Sequence, residues 1–109
     1  MLLVEEQKQK KEFDKLITLG ETLISDYPHL TNSILEMAYA FQKIGHYHRA
    51  VDFGERIRLR DPENTLNLVN LIESYTKIGK RDFAKSILEA SLKIKPHDQN
   101  LKKLKEELK

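Results

Sequence analysis

Residues 42–50 read QKIGHYHRA and residues 76–84 read TKIGKRDFA. Both carry Lys-Ile-Gly, and both place an alanine five residues after the glycine; Gly45 and Gly79 stand 34 residues apart. Shifting the whole chain by that interval lays Thr31 on Thr65, Phe41 on Tyr75, Glu55 on Glu89 and Pro62 on Pro96. Shifting it the other way lays Pro62 on Pro28, Tyr47 on Phe13 and Gly54 on Gly20. A fixed period of this length marks an architecture of stacked repeats.

Each unit reads as two helices. Ile34, Met37, Ala38 and Phe41 have helical spacing, with Thr31 or Asn32 available to cap the start and Gly45 to end the helix. Tyr47, Ala50, Val51, Phe53 and Ile57 then form the apolar face of a second helix, which Pro62 stops at or before Asp61. The next unit repeats the scheme with Leu68, Leu71, Ile72 and Tyr75, then Phe83, Ala84, Ile87, Leu88 and Leu92, and ends at Pro96. The Lys-Ile-Gly turn therefore closes the first helix of each pair. Its glycine supplies the positive φ of a tight turn, and its isoleucine is expected to pin the turn to the core. Gly20 and Gly54 fall inside helices, where each costs about 1 kcal/mol against alanine; their recurrence at the repeat interval predicts close backbone packing.

At these residues the chain resembles a tetratricopeptide repeat (TPR) protein, whose unit places a Trp, a Leu-Gly pair and a Tyr in the first helix, Ala and Phe in the second, and then Pro. Residues 31–64 supply Ile34, Met37-Ala38, Phe41, Ala50, Gly54 and Pro62 at those places, and residues 65–98 supply Leu68, Leu71-Ile72, Tyr75, Ala84, Leu88 and Pro96. The resemblance implies an all-α, right-handed superhelical stack of antiparallel helix pairs, a TPR-like α-α solenoid. Residues 1–30 are then a truncated N-terminal repeat, with a short first helix to about Lys11 and a second helix over 13–28. Residues 99–109, with Leu101, Leu104 and Leu108 on one face, are expected to be a C-terminal capping helix.

The composition narrows the function classes. With 39% apolar and 33% charged residues in a chain of 109, one small core is affordable and a membrane span is not foreseen. A short apolar start followed by charge is the wrong order for a secretory signal, so a cytoplasmic location is expected. No cysteine is present, which excludes disulfides and thiol chemistry. Of the four histidines, His46 and His48 are two apart and lack metal-pair spacing, while His29 and His97 follow unit-ending prolines; all four are expected to be loop histidines rather than ligands. No phosphate-binding glycine loop and no nucleophile elbow occurs. The chain is therefore expected to be no enzyme and to need no metal and no cofactor. The net charge of +2 is small, and acids interrupt the basic runs at Lys8, Lys10, Lys11 and at Lys102, Lys103, Lys105, Lys109, which argues against direct nucleic-acid binding.

Helical spacing separates a second stripe from the core stripe of each first helix. The resemblance implies that this stripe lines a concave peptide-binding groove. In the first unit it carries Asn32, Leu35, Tyr39, Gln42 and Lys43; in the second, Leu66, Val69, Asn70, Glu73, Thr76 and Lys77. Leu35, Tyr39, Leu66 and Val69 make an apolar patch suited to a protein or peptide partner, with Asn70, Glu73, Lys43 and Lys77 to orient it. The competing reading packs Leu35, Leu66 and Val69 against a preceding or neighbouring repeat. TPR domains that hold the acidic C-terminal tails of chaperones use a clamp of Lys, Asn and Arg. Here the clamp positions hold Leu35, Glu36, Tyr39, Leu66 and Val69, and only Asn70 fits, so chaperone tails are not expected. The leading expectation is a non-catalytic protein-binding scaffold. The alternatives are a fragment of a longer repeat array, self-association as a homo-oligomer through Met1-Leu2-Leu3-Val4, or a regulator touching nucleic acid through Lys102 to Lys109.

Overall fold

Glycine at positions 45 and 79 breaks the chain into hairpins because each adopts a φ that other residues avoid, +85° and +82°. Around Gly45 the amide of His46 donates to the Phe41 carbonyl at 2.8 Å and that of Gly45 to Gln42 at 3.1 Å. Around Gly79 the amide of Lys80 donates to Tyr75 at 2.9 Å and that of Gly79 to Thr76 at 3.1 Å. Both are Schellman closures, which satisfy the otherwise orphaned carbonyls of a helix end. The isoleucines serve the turns unequally: Ile78 is half-buried, but Ile44 is 40% exposed and does not anchor its turn in the core.

The computed structural model describes the backbone of residues 2–27 and 29–108, with side chains from residue 10 onward. Among these residues there are six helices and no strand: α1 Leu2–Asp26, α2 Thr31–Lys43, α3 Tyr47–Arg60, α4 Thr65–Lys77, α5 Arg81–Ile94 and α6 Gln99–Glu107. Helices α2, α4 and α6 begin 34 residues apart. Asn64 and Asp98 cap α4 and α6 by accepting from the amides of Asn67 and Leu101. Leu30 holds the equivalent place before α2 and offers no side-chain cap; neither Thr31 nor Asn32 takes over that role.

Helix α1 departs from the expected short helix followed by a second one. It is a single helix of 25 residues. The physical reason lies in one position: Lys11 stands 34 residues before Gly45. Lysine does not favour the positive φ that turns the chain, and the surrounding Glu, Gln and Lys residues are strong helix formers. The side chains of residues 1–9, including the segment Met1 to Val4 expected to self-associate, lie outside the described residues.

Each helix packs on the next in sequence, and α4 also touches α2 and α6. Two adjoining cores result. The first unites Ile34, Met37, Ala38 and Phe41 of α2 with Ala50, Phe53 and Ile57 of α3, and Leu16, Ile17, Leu23 and Ile24 of α1 lean on it. The second unites Leu68, Leu71 and Ile72 of α4 with Ala84, Ile87 and Leu88 of α5 and with Leu101, Leu104 and Leu108 at α6. Burying one such side chain stabilises the fold by about 1.5–3 kcal/mol. Phe83, like Ile44, does not enter the core as expected: it stacks on Tyr75 at 5.6 Å between centroids yet stays 58% exposed.

The recurring glycines explain how the units approach each other. A Cβ on Gly20 would meet the Phe53 ring at 2.7 Å, and one on Gly54 would meet Leu71 Cδ1 at 2.9 Å. Polar bonds join the same elements. Asn67 Nδ2 donates to the Gly54 carbonyl at 2.9 Å, and the Tyr75 hydroxyl donates to Glu55 at 2.8 Å. Burial, and secondarily the bond to Glu55, pushes the Tyr75 pKa up to about 12. No helix among the described residues is long and apolar enough to cross a membrane.

Candidate functional site

The contacts among α2, α4 and α6 set three first helices side by side. Their outward stripes form two adjoining depressions, of about 630 Å³ and about 440 Å³, which share Gln42, Lys43 and Glu73. Helix α2 contributes Leu35, Glu36 and Tyr39 to the larger one, helix α4 contributes Leu66, Val69 and Asn70, and helix α6 contributes Asn100. Thr76 and Lys77 line the smaller one with Tyr47, Arg81, Leu104, Glu107 and Leu108. Ten of the eleven residues that the sequence assigns to a groove thus meet on one continuous surface. Asn32 does not: it is exposed at the start of α2 and lines neither depression.

The apolar members divide between groove and packing. Leu66 is 69% exposed and Tyr39 is 50% exposed. Leu35 and Val69 are half-buried, each resting on one of the two cores while still facing the depression. Leu35 and Val69 therefore take part in core packing while they line the depression, and Leu66 lies at the surface.

The polar members are partly pre-arranged. Gln42 Nε2 donates to Glu73 Oε2 at 2.8 Å, a bond that spans from α2 to α4. Lys43 Nζ sits over the Tyr39 ring, 5.2 Å from its centroid, in an exposed cation–π contact. Hydrogen bonding to Tyr39 and charge interaction with it raise the Lys43 pKa, with burial opposing and Glu73 adding to the rise. Asn70 is only 5% exposed, and its Oδ1 is buried with no hydrogen-bond partner among the described residues. A buried acceptor in that state costs about 1–3 kcal/mol. The side chain expected to orient a partner from the surface is therefore in the floor of the site.

Asn100 was not among the groove residues read from the sequence, and Glu36 entered there only as an ill-fitting clamp position. Asn100 lies 34 residues after Leu66, so the register could have found it. Reading residues 99–109 as a cap alone hid that signal, because α6 both caps the second core through Leu101 and Leu104 and extends the row of first helices. Glu36 precedes Tyr39 by less than one helical turn and sits on the edge of the same stripe. The histidines lie elsewhere. His46 packs on Phe13 at a tilt with centroids 4.6 Å apart, whereas His29, His48 and His97 are exposed, His48 within α3 rather than in the expected loop.

No protein-family model matches the chain, and no curated protein or solved structure matches it significantly.

Proposed function

We propose that the chain is a non-catalytic binding module of the TPR type, a solenoid of helix pairs whose concave face seats a peptide segment of a partner protein. The observation that carries this reading is the surface shared by α2, α4 and α6. It joins exposed Leu66 and Tyr39 to half-buried Leu35 and Val69 over one depression of about 630 Å³. An apolar floor with few, placed polar groups is the usual make-up of a recognition site. The elongated form supports the solenoid. The radius of gyration is 15.0 Å, against about 13 Å for a compact chain of this size. The repeated glycine closures and the common start of the first helices support the TPR assignment.

Leu66 and Tyr39 would supply apolar contact, with Gln42, Glu73, Lys43 and Lys77 around them setting orientation. The amide of Asn70, left without a partner for its oxygen, would pair with a peptide main chain after rotation about its side-chain bonds. Peptides selected from a random phage-displayed library provide the test. Their binding should fall at least about tenfold with Tyr39→Ala and with Leu66→Asp while far-ultraviolet circular dichroism is unchanged. The variants leave Val69 intact because it rests on the second core. Selected peptides that bind both variants as tightly as the parent would refute the groove.

A further inference from the structure

A depression of about 490 Å³ between α5 and α6 shares only Leu108 with the groove surface. Its floor is Leu88, Leu92 and Leu108, and its rim is Lys85, Lys93 and Lys105 with one acid, Glu89. Among the described residues no ion pair reaches these lysines. Lys93 and Lys105 stand in the last turns of their helices, where the helix dipole favours a cation. Lys85 has no such reason, because it stands in the second turn of α5, away from the C-terminal end that favours a cation.

The repeat register shows what these residues replace. Lys85 takes the place held earlier by Ile17 and Val51, each of which rests on the core of the following helix pair. Lys105 takes the place of Met37 and Leu71, both buried. Leu88 takes the place of Gly20 and Gly54, where the next unit approaches too closely for a side chain. At Lys85 and Lys105 a packed apolar side chain of the earlier units has thus become a rim lysine beside a leucine floor, whereas Lys93 takes the place of the exposed Leu59.

We infer that this depression is a second docking surface, separate from the peptide groove, for an acidic amphipathic helix of a partner protein. Its apolar side chains would rest on Leu88, Leu92 and Leu108, and its carboxylates would meet Lys85, Lys93 and Lys105. A second copy of the chain docked by two-fold symmetry would bring the three lysines against three lysines, so like charge opposes it. An extended peptide finds no main-chain partners on α5 and α6, whose backbone groups are already bonded, whereas a helix satisfies its own. The channel between two packed helices also takes a third rod by ridge-into-groove contact.

The probe is a synthetic helix of about 18 residues, fluorescein-labelled, with leucines at i, i+3, i+4 and i+7 spacing and glutamates elsewhere. Fluorescence anisotropy should show saturable one-site binding at about 50 mM salt that weakens at about 200 mM. The pair Lys85→Glu with Lys105→Glu should weaken it by at least about tenfold, and Tyr39→Ala and Leu66→Asp should leave it unchanged. Both lysines are exposed, so folding of the double variant is checked by circular dichroism and is expected to persist. The proposal is overturned by absence of saturable binding, by binding indifferent to the double variant, or by equal binding of a glutamate helix with serine in place of leucine. It is also overturned if the groove variants abolish binding, or if phosphatidylserine vesicles bind through the same lysines while the helix does not.

Discussion

Replacing Gly20 by alanine probes the approach of α1 to α3. In an unobstructed helix this change stabilises the fold by about 1 kcal/mol. Here the new Cβ would lie 2.7 Å from both Cε2 and Cζ of Phe53. Comfortable carbon contact needs about 0.8 Å more. Phe53 is fully buried, and its ring leans on Phe41 with centroids 5.1 Å apart, so it cannot retreat without moving a second aromatic ring. Overpacking of this kind costs about 1–3 kcal/mol, so Gly20→Ala should destabilise by about 1 kcal/mol after the helix-propensity gain is subtracted. Phe53→Leu removes the obstructing ring atoms at its own cost of about 1–2 kcal/mol. In that background Gly20→Ala should become neutral or stabilising, giving a coupling of about 1–2 kcal/mol between the two sites. Urea melts followed by circular dichroism at the helix band measure all four corners of the cycle. The reasoning is refuted if Gly20→Ala alone stabilises by its full propensity gain, or if the cycle closes to within about 0.3 kcal/mol.

Gly45→Ala and Gly79→Ala should each cost about 1–2 kcal/mol from backbone strain alone, because nothing stands within 4 Å of either site. The two turns are far apart in sequence and share no partner, so thermal melts of the double variant should show additive losses; a cost below about 0.3 kcal/mol at both contradicts the assigned turns. The Tyr75 phenol should ionise near pH 12, raised from its ordinary 10.0, in an absorbance titration, and the step should vanish with Tyr75→Phe. Because the folded phenol keeps its proton longer than the unfolded one, this contribution is complete below pH 10 and is lost as pH rises towards about 12. Urea melts across that window should therefore show a fall in stability that Tyr75→Phe reduces, and an equal fall in both proteins would count against it. Asn67→Ala removes the buried bond to the Gly54 carbonyl and should cost about 1–3 kcal/mol in the same melts. A change under about 0.5 kcal/mol would show that this bond does not hold α4 to α3.

The paired glycines made the hairpins legible, because few residues other than glycine accept their backbone angle, and the helical spacing of Ile34, Met37, Ala38 and Phe41 named a buried face. Gly20 and Gly54 were legible as close approaches for the same reason of size. What was not legible turned on single replacements within the register. Lys11 in place of glycine carried α1 straight through an expected break. Leu30 in place of Asn64 and Asp98 left α2 without a side-chain cap. The groove stripe could be drawn from helical spacing, but burial depends on which neighbours lie above. Asn70 sank into the floor, Asn32 stayed outside, and Asn100 entered only because α6 repeats the role of α4. Phe83 was placed in the core by its type, yet its helix turns it onto the Tyr75 ring at the surface.

Nuclear magnetic resonance of the labelled chain, titrated with a library-selected peptide, tests the account most directly. Shifts should concentrate on Leu35, Tyr39 and Leu66, and the side-chain amides of Asn70 and Asn100 should move with them, since all five line one depression formed by three helices. Shifts confined to α1, to the loops or to the lysine-rimmed face of α5 and α6, with the two asparagine amides unmoved, would contradict it.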